Sequence, residues 1–238
     1  MNWNAFTNGD FDNAQPETED DRDMIRVATA HLLDLDEYKK FYNTHIHSCP
    51  PPEFEKGFEL DIRLQTIADI ITTNNFRSVL DVGCRTGNLL FNLCVQKKVD
   101  RAMGLDINST AIDMCRKYRS KLNLENMLDF SLSVFEEYVD DKKYDCVVMA
   151  DVLEHCISPE AFLEKAHSFS NKLIISFPAD NISGKVDEVK EKVYREHVRL
   201  LTINKVDELL KKTHWKILGL LNLPCYFSID VYLLDNGL

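Results

Sequence analysis

Short apolar runs alternate with amphipathic stretches along most of the chain from about residue 76 onwards. The runs predict β-strands, and the stretches between them carry apolar residues at helical spacing. Strands that alternate with helices predict a parallel sheet covered by helices on both faces. The last two strands have no helix between them, so they predict an antiparallel hairpin that turns at residues 222–224. The predicted strands cover residues 78–82, 101–106, 127–132, 144–150, 172–177, 215–221 and 225–233.

The residues before this region have a different pattern. Residues 1–20 are rich in Asn, Asp and Glu, so they are predicted to form a flexible acidic tail. Residues 21–75 contain two amphipathic stretches separated by a triple proline, and they are predicted to form a helical cap. The predicted fold class is α/β, with a doubly wound, Rossmann-like, mostly parallel seven-stranded sheet at residues 76–238. An antiparallel C-terminal hairpin and the N-terminal helical cap complete it.

The composition narrows the classes of function. The chain has 238 residues and a formal net charge of −11, which disfavours a nucleic-acid partner because phosphate backbones are anionic. Its seven cysteines include no Cys-x-x-Cys pair, so they are interpreted as free thiols in a reducing compartment. No apolar run approaches the roughly 20 residues that span a bilayer, and the first residues do not resemble a signal peptide. A cytoplasmic protein with no membrane anchor is the expectation.

The strongest functional motif lies at residues 78–90. A strand leads through a turn with Gly83 and Gly87 into a helix, and glycines in such a turn let the backbone approach a ligand closely. Asp81, at the end of this strand, would repel a pyrophosphate but suits a cationic amine. Asp106 ends the next strand, roughly 20 residues after the glycines, where a carboxylate can accept hydrogen bonds from ribose hydroxyls. S-adenosylmethionine, a nucleoside with a cationic amine and no phosphate, fits both acids.

A third motif, Asp151-Val152-Leu153-Glu154-His155, directly follows the fourth predicted strand, where doubly wound sheets bind their ligands. In this order and spacing, the three segments resemble the class I S-adenosylmethionine-dependent methyltransferases. The resemblance is greatest to the branch with a Val-Leu-Glu-His motif, which includes methyltransferases of quinones, sugars, other small metabolites and small-RNA 3′ ends. It covers residues 76–231, including a stretch at residues 195–202 that resembles the His-x-Arg-x-x-Thr stretch of this branch.

The resemblance implies S-adenosyl-L-methionine as the cofactor and S-adenosyl-L-homocysteine as the product. Asp81 and Gly83 would hold the methionine end, and Asp106 would bind the ribose. Two positions differ from the family pattern, because Arg85 stands where glycine is usual and Ser133 stands where an acid often binds the adenine amine. The side chain at the first position could crowd the cofactor or point to solvent. The implied cofactor-binding residues are Asp81, Gly83, Cys84, Arg85, Gly87, Asp106, Ile107, Ser133, Val134, Ala150 and Asp151.

His155 and His197 are the candidate catalytic bases, because imidazole with its ordinary pKa of roughly 6.5 can take a proton from a substrate hydroxyl. His155 could equally be structural, together with Glu154. A third interpretation is a metal ligand, since small-RNA 3′-end enzymes bind a divalent ion through two acids and two histidines. Asp151, Glu154, His155 and His197 resemble that set. No metal is expected, because similar residues also occur in metal-free relatives.

The predicted function is methyl transfer from S-adenosylmethionine to an oxygen, nitrogen or carbon atom of a small-molecule acceptor. The sulfonium already activates the methyl group, so the protein mainly aligns the acceptor and removes its proton. Residues 21–73 and 180–202 are predicted to cover the acceptor. Three alternatives remain: a metal-dependent small-RNA 3′-end methyltransferase, a non-catalytic module that binds the cofactor or a protein, and a nicotinamide-dependent dehydrogenase, which Asp81 disfavours. The sequence leaves the acceptor and the oligomeric state open.

Overall fold

The computed structural model describes residues 36–37, 39–40, 60–178, 201, 203–224 and 228–237. The predicted tail at residues 1–20, the charged segment at residues 186–195 and the candidate base His197 lie outside these residues. Most of the predicted cap, including the triple proline at residues 50–52, also lies outside them. The description below therefore concerns the sheet, the helices that cover it, and one edge of the cleft that they form.

Helices and strands alternate from residue 62 onwards, except that the third and fourth strands, and also the last two, follow one another without a helix. The helices are α1 (Ile62–Thr73), α2 (Asn88–Val95), α3 (Ser109–Lys121), α4 (Pro159–Ala166) and α5 (Ile203–Lys212). The strands are β1 (Ser78–Val82), β2 (Arg101–Asp106), β3 (Leu128–Leu132), β4 (Cys146–Ala150), β5 (Lys172–Pro178), β6 (Lys216–Pro224) and β7 (Ser228–Asp235). Each strand overlaps the predicted one, and the bounds differ by a few residues at the ends.

The seven strands form one sheet in the order β3-β2-β1-β4-β5-β7-β6. Neighbours among β1 to β5 are parallel, and β7 is antiparallel to both β5 and β6. This confirms the predicted fold class. The chain passes from β1 to β2 on one side of β1 and later to β4 on its other side. A doubly wound sheet opens its ligand cleft at such a reversal, outside the carboxyl ends of the strands.

The predicted hairpin at the end of the chain exists, but its predicted turn at residues 222–224 is wrong. β6 continues through Pro224, which pairs with Ser228, so the connection lies at residues 225–227. Extended pairing persists here because Asn222 donates its side-chain amide to Asp230 across the strand pair, at 2.7 Å. A proline at the last position of a strand also removes no donor that the interior of the sheet needs.

The central strands β1, β4 and β5 are buried on both faces, so successive residues of one strand enter different cores. Val79 packs in the core beneath α1, α2 and α3, whereas Leu80 and Val82 pack in the core beneath α4 and α5. This explains why the central strands are apolar throughout rather than alternating. Helices α1, α3 and α4 begin where the side chains of Asp61, Asn108 and Ser158 accept hydrogen bonds from free backbone N–H groups.

Helix α1, which the sequence pattern grouped with the N-terminal helices, packs directly on the sheet. Its buried residues Ile67, Ala68 and Ile71 belong to the core that also contains β1 and α2. Asp61 caps the helix by accepting a hydrogen bond from the backbone N–H of Leu64, at 2.8 Å. The first residues of the helix lie beside the carboxyl ends of the strands. No helix in the part of the chain that the structure describes is long and apolar enough to cross a membrane.

Candidate cofactor-binding site

A cleft of about 400 Å³ opens at the carboxyl ends of β1, β2, β3 and β4. Its volume is within the range of roughly 300–1,000 Å³ that is typical of small-molecule sites. The fold brings residues from all three sequence motifs together in this cleft. Of the predicted site residues, those that line it are Asp81, Gly83, Cys84, Arg85, Asp106, Ile107, Ser133, Val134, Ala150, Asp151 and His155.

Gly87 was predicted to contact the cofactor but does not line the cleft. It precedes α2 with a left-handed φ of 75°, and it lies behind the loop against the ring of Phe130. A Cβ atom at this position would come within 3.0 Å of the rings of Phe130 and Phe91. The glycine is therefore required by the turn and by the packing of the loop on the core, and its contact with the cofactor stays a prediction.

Gly83 is the glycine that lies in the cleft, and it joins three elements. Its φ is 73°, and its backbone N–H donates to the carbonyl of Leu105 in β2 at 2.8 Å. A Cβ atom here would lie 2.7 Å from Cγ2 of Val152, in the segment after β4. Only glycine fits this backbone and this contact. Gly83 is exposed, so its backbone is open to a ligand.

Asp106 is fixed by the loop that follows β1. Its Oδ2 accepts a hydrogen bond from the backbone N–H of Arg85 at 2.7 Å, and its Oδ1 accepts one from the N–H of Asn108 at 2.8 Å. Burial raises the pKa of this carboxyl group, and the hydrogen bonds partly oppose that rise. The carboxylate is thus oriented before any ligand arrives, with lone pairs left to accept further bonds.

Arg85, which replaces the glycine that is usual in related loops, adopts the left-handed conformation with a φ of 51°. A non-glycine residue there costs of order 1–3 kcal/mol, which the surrounding structure must offset. The bond from its N–H to Asp106 is one such contribution. The residue is exposed, and it lines the cleft at its rim. The hydrogen bond to Asp106 therefore helps to hold Arg85 in its left-handed conformation.

Cys84 lies beneath the same loop and is buried. Burial raises the pKa of its thiol, and the neighbouring Cys115 thiol adds to that effect. A thiol in such surroundings stays protonated and is a poor nucleophile. Its role in the loop is packing, which agrees with the interpretation of the cysteines as buried thiols.

Asp81 contributes a second, more deeply buried carboxyl group. It is 4% exposed, and burial together with the neighbouring charge of Asp106 raises its pKa to about 8. The guanidinium of Arg63 acts in the opposite direction but does not cancel the rise. The group therefore carries a proton at neutral pH in the unliganded protein, and a cationic ligand would favour its ionised form.

Arg63 is a residue of the cleft that the sequence analysis missed. It stands in the first turn of α1 and forms an ion pair through Nη1 with Oδ2 of Asp151. Asp151 has a left-handed φ of 52°, and its Oδ1 accepts a hydrogen bond from the Ser176 hydroxyl at 2.8 Å. In the sequence, a lone arginine on the polar side of a helix looks like any solvated side chain. Only the packing of α1 on the sheet places it at the carboxyl end of β4.

Glu154 and His155 follow this strand but have different surroundings. His155 lines the cleft, whereas Glu154 is 1% exposed and does not line it. Neither carboxyl oxygen of Glu154 has a hydrogen-bond partner in the structure as described, and burial raises its pKa to about 8. Glu154 is therefore held protonated below the cleft near Arg63, whose charge opposes the rise. This position agrees with a structural role for Glu154 and leaves His155 as the residue that can reach a substrate.

The metal interpretation depends on His197, which lies outside the described residues. Within those residues, no group of three or more His, Cys, Asp and Glu side chains is arranged to hold a metal ion. Asp151, one of the four proposed ligands, is instead engaged by Arg63 and Ser176.

Comparison with known proteins decides the family. Residues 59–220 match the family described as "Methyltransferase domain". The chain belongs to this family. Among curated relatives, it is 26% identical over 124 residues to the ubiquinone biosynthesis O-methyltransferase of Pasteurella multocida, covering 48% of this chain and 50% of the relative. It is 30% identical over 89 residues to the probable (S)-tetrahydroprotoberberine N-methyltransferase 2 of Papaver bracteatum, covering 37% of this chain and 25% of the relative.

Solved structures of methyltransferases share the fold at low identity. Magnesium protoporphyrin IX methyltransferase from Synechocystis PCC 6803, crystallised with bound SAH, superposes with a TM-score of 0.65 at 14% identity, covering 86% of this chain and 100% of that chain. The methyltransferase domain of bacterial CtHen1-C superposes with a TM-score of 0.59 at 19% identity, covering 74% of this chain and 97% of that chain.

These matches confirm the predicted superfamily, that of the class I S-adenosylmethionine-dependent methyltransferases. They also confirm, at the level of the family, the predicted enzyme class and S-adenosylmethionine as its cofactor. The sequence match spans no more than half the length of the two curated relatives named above. The acceptor and the roles of individual residues are therefore matters for proposal.

Proposed function

We propose that this protein transfers a methyl group from S-adenosylmethionine to a small-molecule acceptor. The observation that carries the proposal is the pairing of two different acids in one cleft. Asp106 is oriented by two backbone N–H groups, as suits ribose hydroxyls, and Asp81 is buried without such donors, as suits a cationic amine. A ligand that presents a ribose next to an amino acid matches this arrangement.

The cleft has room for each part of the cofactor. Asp106 would accept hydrogen bonds from the ribose hydroxyls, and Ile107 and Val134, which line the same end, would pack against the adenine. At the opposite end, Asp81 would pair with the amine of the methionine part, and Arg63 would bind its carboxylate. Guanidinium and carboxylate groups form strong, oriented hydrogen bonds, which would fix the sulfonium between the two ends.

The bound cofactor supplies an electrophilic methyl group, so the protein itself has to position the acceptor and handle its proton. His155 is the described residue best placed for the proton, because its side chain lines the cleft beyond Asp151 at the carboxyl end of β4. His197 is the second candidate base and belongs to the undescribed stretch. Neither assignment requires a metal ion.

A small organic acceptor is favoured over RNA by two observations. The chain has a net charge of −11, which opposes the approach of a phosphate backbone. The relatives named above are a ubiquinone biosynthesis O-methyltransferase and a tetrahydroprotoberberine N-methyltransferase. We also propose a reducing, cytoplasmic location, which is supported by five buried free cysteines among the described residues.

Calorimetric titration with S-adenosylmethionine and S-adenosylhomocysteine tests the cofactor site. Micromolar binding of both is expected, and absence of binding in well-folded protein would refute the proposal. Transfer from methyl-labelled cofactor to a panel of small phenols, amines and carboxylic acids then tests catalysis. With an acceptor in hand, His155→Ala is expected to retain cofactor affinity and lose about 100-fold or more in turnover, as for the loss of a general base. Binding without transfer to any acceptor would favour the non-catalytic module instead.

A further inference from the structure

The described sheet ends at β3 on one side and at β6 on the other, and these two edge strands differ in length and charge. β3 has five residues, and the exposed side chain of Asp129 in this strand forms an ion pair with Arg119 of α3. A short, charged edge strand discourages pairing with another chain. β6 has nine residues, and none of the eight from Ile217 to Pro224 is charged. β6 therefore lacks the protection that β3 has.

The outer strand β6 also exposes apolar side chains on both faces of the sheet. Its exposed apolar residues, each 45–56% exposed, are Ile217, Leu218, Leu220 and Leu221. They make up half of the large apolar side chains that are exposed in the part of the chain that the structure describes. Leu220 pairs with Tyr232 and Leu221 with Val231, and these two residues of β7 pack in opposite cores. The apolar surface of β6 consequently continues around the edge of the sheet.

The strand is irregular only near its beginning. The register between β6 and β7 shifts between Ile217 and Gly219, so Leu218 is an extra residue in β6. A bulge of this kind can turn an edge away from a neighbouring chain. From Gly219 to Pro224, however, each residue of β6 has its own partner in β7. Residues 219–224 thus form a regular outer edge, where alternate backbone groups point away from β7 and can pair with a further strand.

The distribution of charge favours a second copy of this chain as the partner at that edge. A net charge of −11 makes two copies repel each other. This repulsion is weakest at β6, because its one charged residue is Lys216, whose charge acts on the neighbouring Asp235 and lowers the pKa of that carboxyl group. When two identical strands pair in antiparallel about a two-fold axis, the two Lys216 side chains lie at opposite ends of the pair. Like charges therefore do not face each other.

We propose that two copies of this protein associate through β6, which pairs in antiparallel with β6 of the second copy and continues the sheet across the dimer. The exposed leucines of β6 would then pack on the same residues of the second copy, which removes them from water. The assembly closes at two copies, because the edges that remain are the charged β3 strands. Since β6 runs in the same direction as β1 to β5, the two clefts open at opposite ends of the combined sheet.

Sedimentation of the full chain at micromolar concentrations tests this arrangement. The wild type should have twice the mass of one chain, which is 27.5 kDa. Leu220→Lys and Leu221→Lys each place a charge on one face of the edge, so each variant should be a monomer. Both side chains are exposed, so the core stays intact and the variants should fold. Circular dichroism checks that they do.

Leu132→Lys is the matched control, because Leu132 is 49% exposed and ends β3, the strand at the opposite edge. This variant should remain a dimer. A monomeric wild type would overturn the proposal, and so would a dimer that persists in both variants of β6. Wild-type assemblies larger than two copies would contradict the closed pairing.

Hydrogen exchange separates strand pairing from association through another surface. The outward N–H groups within residues 219–223 should exchange at least about tenfold more slowly in the wild-type dimer than in the Leu221→Lys monomer, because they become hydrogen-bonded across the axis. The amides of β3 should exchange equally in both proteins. A wild-type dimer in which the β6 amides gain no protection would show that the copies meet elsewhere, and the proposal would then be wrong.

Discussion

The two ends of the cleft are built in different ways. At the end proposed to bind the nucleoside, Asp106 is tied to the backbone of Arg85 and Asn108, which lie after β1 and after β2. At the end proposed to bind the methionine part, Arg63 comes from α1, Asp81 from β1 and Asp151 from the end of β4. Hydrogen bonds from the backbone fix the first end, whereas charged side chains from three separate elements form the second.

The difference shows which end is complete without a ligand. The nucleoside end has its acceptor fixed and its donors satisfied, so it is preorganised for binding. The methionine end holds acids whose pKa values are raised to about 8, and one guanidinium that acts on both Asp81 and Glu154. Ionising Asp81 at this buried position is costly without a counter-charge, so this end gains most from a ligand that supplies a cationic amine. We therefore expect the first end to behave as a rigid site and the second as a network that rearranges.

The largest effect is expected from Asp106→Ala. This change removes the acceptor for the ribose and also the anchor of the backbone at Arg85. Affinity for S-adenosylhomocysteine should fall by about 100-fold or more, because two charge-assisted hydrogen bonds of about 1.5–3 kcal/mol each would be lost. Calorimetric titration measures the change. Asp113→Ala, on the exposed side of α3, is the control, and an unaltered affinity in Asp106→Ala would exclude a preorganised nucleoside end.

Changes at the two partners of the ion pair between Arg63 and Asp151 should have different effects on ligand affinity. Arg63→Gln removes the group that we propose to bind the cofactor's carboxylate, so affinity for S-adenosylhomocysteine should fall by about tenfold, equivalent to about 1.4 kcal/mol. Asp151→Asn removes only the competing partner of Arg63, so this variant should bind no more weakly than the wild type. The same titration measures both. Equal losses in the two variants would indicate a pair that is merely structural.

Binding should also release protons. Burial and the charge of Asp106 raise the pKa of Asp81 to about 8, so Asp81 is protonated at pH 7 in the unliganded protein. Pairing with the ligand's amine favours its ionised form, so a proton leaves and affinity increases as the pH rises towards 8. Titrations at pH 7 in two buffers with different ionisation enthalpies measure the number released. Asp81→Asn should abolish the proton release that comes from Asp81. A wild type that releases no protons on binding would contradict the proposed pairing of Asp81 with the ligand's amine.

A rise in pH should have the opposite effect on the stability of the unliganded protein: it should lower the free energy of unfolding. Asp81 and Glu154 have folded-state pKa values raised to about 8, above their values in the unfolded chain. Their contribution to the free energy of unfolding is therefore fully present below the unfolded pKa and is lost as the pH rises through about 8. The unliganded protein should lose stability over this window, and saturating S-adenosylhomocysteine should restore it.

The last prediction concerns stability and the variant Gly83→Ala. The left-handed φ of 73° and a contact of 2.7 Å to Cγ2 of Val152 both oppose a Cβ atom, so the free energy of unfolding should fall by about 1–2 kcal/mol. Adding Val152→Ala should recover part of this loss by making room. Chemical denaturation measures these changes. Gly219→Ala is the control, because no atom lies within 4 Å of a Cβ at that position, and a similar loss there would show that the turn is not special.

The sequence by itself predicted the fold and several residues of the candidate site. Strand and helix positions follow from the hydrophobic period, which is a local property. Asp81, Gly83 and Asp106 are recognisable because each stands at a fixed place at the end of a strand. The turn of the last hairpin was misplaced because Asn222 and Pro224, which favour turns, are held in β6 by pairing with β7.

Only the tertiary structure placed Arg63 in the cleft and separated the side chains that line the cleft from those that do not. Arg63 has no sequence signature, because its role depends on where α1 packs against the sheet. In the structure Gly87 packs against the core and does not line the cleft, and His155 lines the cleft whereas Glu154, its neighbour in sequence, is buried below it. Local pattern determines which elements form, whereas burial and charge depend on neighbours that the chain brings together only when it folds.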